Sequence, residues 1–194
     1  MYIPKAFAIT DRATQHAFIE ANGFGQLISS CDGRPYSTHL PFMLSADKKY
    51  LLGHLAANNP QLRDLEGQLL LVTLQGAHDY ISPSWYSKPG VPTWNYQALH
   101  IYGCCRLITQ PQALAQLVNQ LSEKYEAGFA EPWQPDYQAS LLGAIVGFEI
   151  EINDIECKFK LSQNRSSQER AAIVRQLEKA GASALATAMD DSKI

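Results

Sequence analysis

The sequence lacks several features that would assign a protein to a functional class at once. Only four of its 194 residues are cysteines, and Cys31, Cys104, Cys105 and Cys157 have none of the paired spacings of a zinc knuckle. Adjacent cysteines seldom bond to each other without strain, so we expect reduced thiols. No run approaches the roughly 20 apolar residues of a membrane helix. A net charge of −3 leaves no basic excess for non-specific binding to nucleic acid or anionic lipid.

The first five residues, MYIPK, do not form the charged leader and apolar stretch of a signal peptide. We therefore expect a cytoplasmic protein with no membrane partner. The fractions of apolar residues, 46%, and charged residues, 18%, are typical of a folded globular chain. The length fits one domain, which we predict over residues 1–165, with residues 166–194 packed on it as a C-terminal helix and tail.

Common catalytic signatures are missing as well. The chain has no Gly-x-Gly-x-x-Gly after a strand, no phosphate-binding P-loop and no Gly-x-Ser-x-Gly elbow. Its five histidines show no metal-ligand spacing on a single element, so no metal site is expected. The sequence therefore assigns no catalytic residue.

Alternating and apolar patterns predict a mainly β (α+β) fold. Residues 25–30 and 36–43 read as an antiparallel pair around a turn at residues 32–33, and residues 50–54 read as a further strand after a second turn. Two hairpins in succession favour a meander over β-α-β units. The remaining strands are predicted over residues 68–75, 94–108 and 145–155.

Helices are expected between and after these strands. A first helix begins after Thr10 or Asp11, either of which can cap it. A second, over residues 114–125, has the 3- and 4-residue apolar spacing of a helix with one buried face. Residues 166–169 form a capping box for a C-terminal helix that ends at Gly181, followed by a frayed tail. About six strands with such helices indicate a β-barrel with peripheral helices.

Three groups of residues have a chemistry that suits a ligand site. The first group is Ser37, Thr38 and His39 on a strand, together with residues 53–60 (GHLAANNP) at a strand-to-helix junction. Hydroxyls, imidazoles, backbone N–H groups and a helix N-terminus would meet there as a phosphate cradle. A satisfied turn and helix cap explains the same residues, and physical grounds slightly favour it.

The second group is the aromatic loop, which we define as residues 82–96. It contains Trp85, Tyr86, Trp94 and Tyr96 among three prolines. A stiff loop of this kind offers flat rings with N–H and O–H groups. Such rings suit a planar ligand and a subunit interface equally well. We expect residues 76–92 to be mostly loop, with a brief extended piece at residues 78–81.

The third group follows the last strand. Lys158 and Lys160 stand at alternate positions and therefore share a face, and the polar turn after them ends in Arg165. The group fits a rim that recognises an anion or a carbonyl, with bidentate contacts from Arg165. A solvated basic strand end, capped by the next helix, fits it as well.

Several short motifs occur in an order that is typical of one family. They are MYIPK at 1–5, THLP at 38–41, GHLA at 53–56 with NP at 59–60, QGAH at 75–78, YISPSWY at 80–86, VPTWNY at 91–96 and KLSQNR at 160–165. With these motifs the chain resembles, along nearly its whole length, the PaiB-type FMN-binding proteins, which are also described as negative transcriptional regulators.

The resemblance implies a split β-barrel like that of pyridoxamine-phosphate oxidases and flavin reductases, in a homodimer that holds each FMN between subunits. The phosphate and ribityl side of the pocket would be lined by Ser37, Thr38, His39, His54, Leu55, Ala56 and Asn59. Near the ring or the dimer seam would lie Gln75, Trp94, Asn95 and Tyr96. The neighbouring subunit would supply the loop around Trp85 and the rim that contains Lys160, Gln163 and Arg165.

One position departs from the pattern of FMN-binding split barrels. Those proteins commonly carry a lysine or arginine in the strand-to-helix connection, where the cation neutralises the phosphate. Here the connection carries His54, and a neutral imidazole is a weaker phosphate partner than a permanent cation. We therefore expect a modest affinity for FMN, or a cation from the partner subunit's Lys158, Lys160 or Arg165.

Two functions are open on the sequence. The first is an FMN-binding dimer with redox activity of the reductase or oxidase type, in which the flavin carries the chemistry. The second is a regulator of transcription, as the family description suggests. The chain has no helix-turn-helix pattern and its C-terminal helix has balanced charges, so direct DNA binding is not expected. A dimer that binds another planar ligand, such as haem, is an alternative to both.

Overall fold

Strands dominate the part of the chain that this computed structural model describes, which is residues 1–87 and 89–191. Lys88 of the aromatic loop and residues 192–194 of the predicted tail lie outside it. The strands are β1 (Phe24–Cys31), β2 (Arg34–Pro41), β3 (Met43–Leu44), β4 (Tyr50–Ala56), β5 (Leu69–Ile81), β6 (Thr93–Ile108) and β7 (Ile145–Lys160).

Helices occupy the predicted places. Asp11 caps the first of them, because its Oδ2 accepts the Thr14 N–H at 2.8 Å and the Thr14 hydroxyl at 2.7 Å. Ser166 caps another by accepting the Glu169 N–H at 3.2 Å. The α-helices are α1 (Arg12–Ala21), α2 (Pro111–Glu126), α3 (Ser167–Lys179) and α4 (Ser183–Asp191), and the short 3-10 helices span Lys5–Phe7, Pro60–Arg63, Pro83–Trp85 and Ala139–Ala144.

The strands join in the hydrogen-bonded order β2-β1-β5-β6-β7-β4-β3. The pairs β1–β2, β3–β4 and β4–β7 are antiparallel. Both predicted hairpins are present, but they stand at opposite ends of this order, so the expected meander is wrong. The chain leaves β2 at Phe42, which is fully buried and donates its N–H to the Gly23 carbonyl at 2.7 Å, before β3 begins.

The chain forms two compact units. The first unit comprises Met1–Phe18, Leu74–His100 and the chain from Glu156 onward, so it contains α3 and α4. Its core includes the rings of Phe18 and Phe159, whose centroids lie 5.2 Å apart. The second unit comprises Ile19–Thr73 and Ile101–Ile155, and its core includes Phe42 and Phe148, 6.2 Å apart. The predicted boundary after residue 165 stays a prediction.

Strand β5 continues beyond its predicted end. It runs to Ile81 and takes in the extended piece predicted at residues 78–81, so the loop prediction was wrong at residues 76–77. Gly76 permits this continuation beside the core, because a Cβ at that position would lie 2.7 Å from Cε2 of Phe18. The glycine that suggested a loop therefore marks a close approach inside a strand.

The tail after Gly181 is a helix rather than the expected frayed segment. Leu185, Ala186 and Met189 of α4 are buried in the first unit. Arg170 of α3 donates to the Met189 carbonyl at 2.8 Å, which ties the two helices together. Three buried positions in nine residues gave too short a pattern to predict this helix from periodicity.

None of the helices in the described parts is long and apolar enough to cross a membrane. Within the same residues, no three His, Cys, Asp or Glu side chains converge in a way that would hold a metal ion. The cytoplasmic location stays a prediction.

The packing of α4 gives a stability test. Replacing Leu185 by alanine should lower the free energy of unfolding by about 2–4 kcal/mol, because it opens a cavity under a buried side chain. Chemical denaturation followed by circular dichroism measures the change. The exposed residue Thr187 on the same helix is the control, and Thr187→Ala should stay within about 0.5 kcal/mol of the parent. Equal stability of the two variants would mean that α4 does not pack.

Candidate functional site

The predicted site residues fall into two groups, one in each unit. The second unit carries those on β2 and at the end of β4, and the first unit carries those on β5, on β6 and after β7. The second-unit group is Ser37, Thr38, His39, His54, Leu55, Ala56 and Asn59. The first-unit group is Gln75, Trp85, Trp94, Asn95, Tyr96, Lys160, Gln163 and Arg165.

A buried amide holds the second-unit group together. The side chain of Gln61 is fully buried, and its Nε2 donates to Ser29 Oγ at 2.7 Å and to the Leu27 carbonyl at 3.3 Å. Its Oε1 accepts the hydroxyl of Thr38. Asn59 Nδ2 donates to Thr38 Oγ1 at 3.0 Å, and Asn59 Oδ1 accepts the Gln61 backbone N–H at 3.0 Å. The network ties β1 and β2 to the short helix that follows Asn59.

This network uses groups that a phosphate cradle would need. The Thr38 hydroxyl both donates and accepts within it, so its proton is already committed. The N–H groups of Ala57, Asn59 and Leu62 donate to backbone carbonyls. The helix over Pro60–Arg63 is a single 3-10 turn, which offers little dipole for an anion. Thr38 and Asn59 thus form the cap and turn that the sequence left as the alternative, and their contact with FMN stays a prediction.

His54 lies at the end of β4, opposite Gly147 of β7. The preceding Gly53 lets β4 approach the core, because a Cβ there would lie 2.6 Å from Cζ of Phe148. The Nδ1 atom of His54 is buried and has no hydrogen-bond partner among the residues that the structure describes. Burial lowers the pKa of His54 below its usual 6.5, which favours the neutral imidazole.

The other polar residues of the second-unit group are exposed. His39 stacks on Phe24 with 6.4 Å between ring centroids, and the Ser37 hydroxyl lies 3.3 Å from Gln26 Oε1. Arg63, the cation next along the chain, lies 3.5 Å from a carboxylate oxygen of Asp32. The strand-to-helix connection has His54 where a lysine or arginine was expected. Because Arg63 already has a carboxylate partner, we do not assign it the role of that missing cation.

The first-unit group contains exposed aromatic rings. Trp94 is 54% exposed and packs edge-on against Tyr80, with 6.1 Å between centroids. The guanidinium of Arg165 lies 4.1 Å from the centre of the Tyr86 ring. This cation–π contact fixes Arg165 against the aromatic loop.

A cavity of about 140 Å³ opens beside this contact. Lys160 donates from Nζ to Thr93 Oγ1 and to the Trp94 carbonyl. Asn95 is 1% exposed, and its Nδ2 donates to Ser162 Oγ at 2.9 Å. Its Oδ1 is buried without a hydrogen-bond partner among residues 1–87 and 89–191. The walls of the cavity include Tyr86, Thr93, Asn95, Lys160, Ser162 and Arg165.

The structure thus brings Asn95, Lys160 and Arg165 to one cavity. Gln163 instead closes the turn after β7, because its Oε1 accepts the Leu161 N–H at 2.7 Å and its Nε2 donates to the Phe159 carbonyl. The other members of the first-unit group, Gln75, Trp85, Trp94 and Tyr96, do not line the cavity.

Sequence reasoning missed three residues that the geometry makes central. Thr93 and Ser162 stand inside the quoted motifs VPTWNY and KLSQNR, so the motifs were a signal for them. Gln61 had no signal beyond its place after residues 59–60, because glutamine is mostly exposed in proteins.

Comparison with known proteins identifies the family. Residues 1–154 match the family model described as "Putative FMN-binding domain". The chain is 41% identical over 202 residues to "Protease synthase and sporulation protein PAI 2" of Bacillus subtilis (strain 168), an alignment that covers 98% of this chain and 97% of that protein. The chain belongs to the PaiB-type FMN-binding family. Membership confirms the resemblance and confirms FMN as the cofactor.

Solved structures confirm the mainly β split-barrel fold of this family member. The flavocytochrome Anf3 from Azotobacter vinelandii superimposes with a TM-score of 0.68 at 18% identity, covering 88% of this chain and 78% of that chain. An FAD and haem binding protein from Mycobacterium smegmatis gives a TM-score of 0.66 at 15% identity, with 85% and 78% covered. At these identities the likeness establishes the fold alone.

The buried amide network gives a second test. Gln61→Ala should lower the free energy of unfolding by about 2–4 kcal/mol, because Ser29 and Thr38 lose their buried partner and a cavity forms. Urea denaturation measures the loss. The control is Gln112→Ala on the exposed first turn of α2, expected within about 0.5 kcal/mol of the parent. If both variants matched the parent, the network would not hold these strands.

Proposed function

We propose that the chain forms a homodimer that holds FMN with both groups of predicted residues and uses the bound flavin for redox chemistry. The second-unit group would face the phosphate and ribityl chain. The first-unit group would face the ring or the subunit seam, with the loop around Trp85 and the rim containing Lys160, Gln163 and Arg165 supplied by the partner subunit.

Two buried polar atoms are the observation that carries this placement. His54 Nδ1 and Asn95 Oδ1 belong to residues predicted to bind FMN, and neither has a hydrogen-bond partner in the described part of the chain. A buried polar group without a partner costs roughly 1–3 kcal/mol, so such positions usually meet a ligand, water or another chain. The ribityl chain of FMN offers hydroxyl groups that can donate to a neutral imidazole nitrogen and to an amide oxygen.

Exposed aromatic rings support a planar ligand or a subunit contact in the same region. Trp94 and Tyr80 are exposed although both are large and apolar, and they contact each other. Exposed apolar clusters of this kind mark binding surfaces. We place Trp94 and Tyr96 toward the flavin ring or the partner subunit on this ground.

The phosphate needs a permanent cation that the second-unit group does not supply. His54 favours its neutral form, and Arg63 is paired with Asp32. The first unit has cations in Lys158, Lys160 and Arg165, and a homodimer would bring the partner's copies to the cofactor. The partner subunit's cations would thus take the place of the lysine or arginine that the strand-to-helix connection lacks at His54.

Bound FMN would supply electron or hydride transfer. The residues of the chain would bind the flavin, orient it and exclude water from it. No side chain of the described residues has a geometry that singles it out as a proton donor or acceptor for a substrate, so the substrate is left unassigned.

A role in gene expression is a second proposal, and it rests on the name of the Bacillus subtilis relative, which refers to protease synthesis and sporulation. We propose that such a role acts through a bound ligand or protein partner. The basic residues of α3, Arg170, Arg175 and Lys179, are accompanied on that helix by Glu169 and Glu178. A helix with so little excess positive charge is a poor direct reader of DNA.

An FMN titration tests the cofactor site. The purified protein should quench flavin fluorescence saturably, and His54→Ala or Trp94→Ala should weaken binding about tenfold, which corresponds to loss of a single good contact. Trp133→Ala is the matched control, because Trp133 is also an exposed tryptophan but belongs to neither group. Saturable binding of hemin with none of FMN would contradict the proposal. Bleaching of the flavin band by NADPH would support the redox part.

Sedimentation equilibrium tests the homodimer. The mass should equal two chains of 21.5 kDa. Trp94→Glu should shift the protein toward monomer, because a charge in an apolar interface is costly to desolvate. Trp133→Glu is the control and should stay dimeric. A monomeric parent protein at micromolar concentration would refute the dimer without touching the FMN result.

A further inference from the structure

Two neighbouring lysines stand at the end of β7. Lys158 and Lys160 stand on the same face of β7, and neither takes part in any ion pair formed by the described residues. Lys158 is only 7% exposed, and its Nζ donates to the Tyr2 carbonyl at 3.0 Å. Burial and the charge of Lys158 both lower the pKa of Lys160. The two ammonium groups therefore repel each other, and water is partly excluded from around them.

Lys160 stands at the wall of the cavity that was described above. Two of its three N–H donors bind Thr93 Oγ1 and the Trp94 carbonyl. These two contacts hold the ammonium group in place and leave one donor for a ligand. A fixed ammonium group with a donor to spare is suited to an anion.

Arg165 adds a second cation to the same cavity, which Lys158 does not line. Its guanidinium is fixed by the Tyr86 ring at 4.1 Å and lies 3.9 Å from Glu169 Oε1. That carboxylate also lies 3.3 Å from the Ser166 hydroxyl, through its other oxygen. Lys160 and Arg165 therefore both line the cavity, and the one carboxylate beside them lies next to Arg165, which leaves the charge of Lys160 in excess.

The volume and lining of the cavity limit what can bind. A space of about 140 Å³ is close to the engineered cavities that admit benzene, and it is far too small for the three rings of a flavin. Tyr86 and Val91 provide an apolar wall, and Asn95 Oδ1 is a buried acceptor that requires a donor. The lining therefore combines sites for an anionic group, a small carbon skeleton and a hydroxyl group.

We infer that this cavity is a binding site for a compact oxyanion, a carboxylate or phosphate group that Lys160 and Arg165 hold together. A hydroxyl group on the same ligand donates to Asn95 Oδ1. The site is lined by residues of the first unit alone. Binding of the FMN phosphate there rests on the proposed function, whereas binding of a separate small acid does not. The oxyanion is either the phosphate of FMN or the carboxylate or phosphate group of a separate small acid.

Titration calorimetry on the flavin-free full chain tests this inference, with lactate and inorganic phosphate as probes. Both probes combine an oxyanion with a hydroxyl donor. At least one should bind saturably at millimolar concentration or below, against sodium chloride of equal ionic strength as the reference. If neither probe bound above the chloride reference, the inference would be overturned.

Variants locate the binding. Lys160→Met and Arg165→Met should each weaken the probe at least about tenfold, because each removes a charge-assisted contact, whereas Lys160→Arg should retain binding within about threefold. Lys179→Met, at an exposed position in the last turn of α3, removes the same charge elsewhere in the first unit and should bind as the parent does. If Lys160→Met does not fold, the affinities of Arg165→Met and Lys160→Arg still test whether the cavity binds the probe. Parental affinity in Arg165→Met would overturn the inference.

Competition identifies the source of the oxyanion. If FMN displaces the probe while riboflavin does not, the cavity holds the phosphate of FMN. If the probe binds equally with and without FMN, the cavity serves a separate small acid. Both outcomes support an oxyanion site. Failure of FMN to bind at all would refute the proposed cofactor site but leave the probe titration intact, so the two proposals fail separately.

Discussion

Buried polar groups require partners, and the way this chain meets that requirement shapes both of its units. In the second unit the buried amide of Gln61 is saturated by Ser29, Thr38 and backbone groups, so two strands and a short helix are locked together. Saturation makes this network structural, because little hydrogen-bonding capacity is left for a ligand. His54 Nδ1 and Asn95 Oδ1 are among the exceptions, and such positions usually meet a ligand, water or another chain.

Charged groups, like buried polar groups, require partners. In the second unit, burial favours the neutral imidazole of His54, while the first unit brings Lys160 and Arg165 to one cavity with a single carboxylate beside Arg165. Neither arrangement is balanced by itself. A phosphate from FMN in a dimer, or a separate small acid, would remove the imbalance. If the cavity takes the phosphate of FMN, the affinity for flavin and the binding of an oxyanion depend on the same two cations.

The sequence predicted strong local patterns well and weak or ambiguous ones poorly. Strand β6 and helix α2 were found to within three residues at each end, because their patterns extend over more than ten residues. The end of β5 was missed because Gly76 looks like a loop residue until the ring of Phe18 is seen against it. Helix α4 was missed because its buried face consists of only three residues. The site residues were recognised by motif order, which does not reveal what each side chain touches.

The sequence by itself determined the family, the mainly β fold and the cofactor, because residue order, periodicity and motif spacing are properties of the chain. Only the tertiary structure decided that Thr38 and Asn59 serve a cap, that Gln61 lies at the centre of their network, and that Asn95, Lys160 and Arg165 share a cavity. The reason is physical. Hydrogen bonds and charges act over a few ångströms in space, and residues 95, 160 and 165 come that close only after β6 and β7 have folded into the sheet.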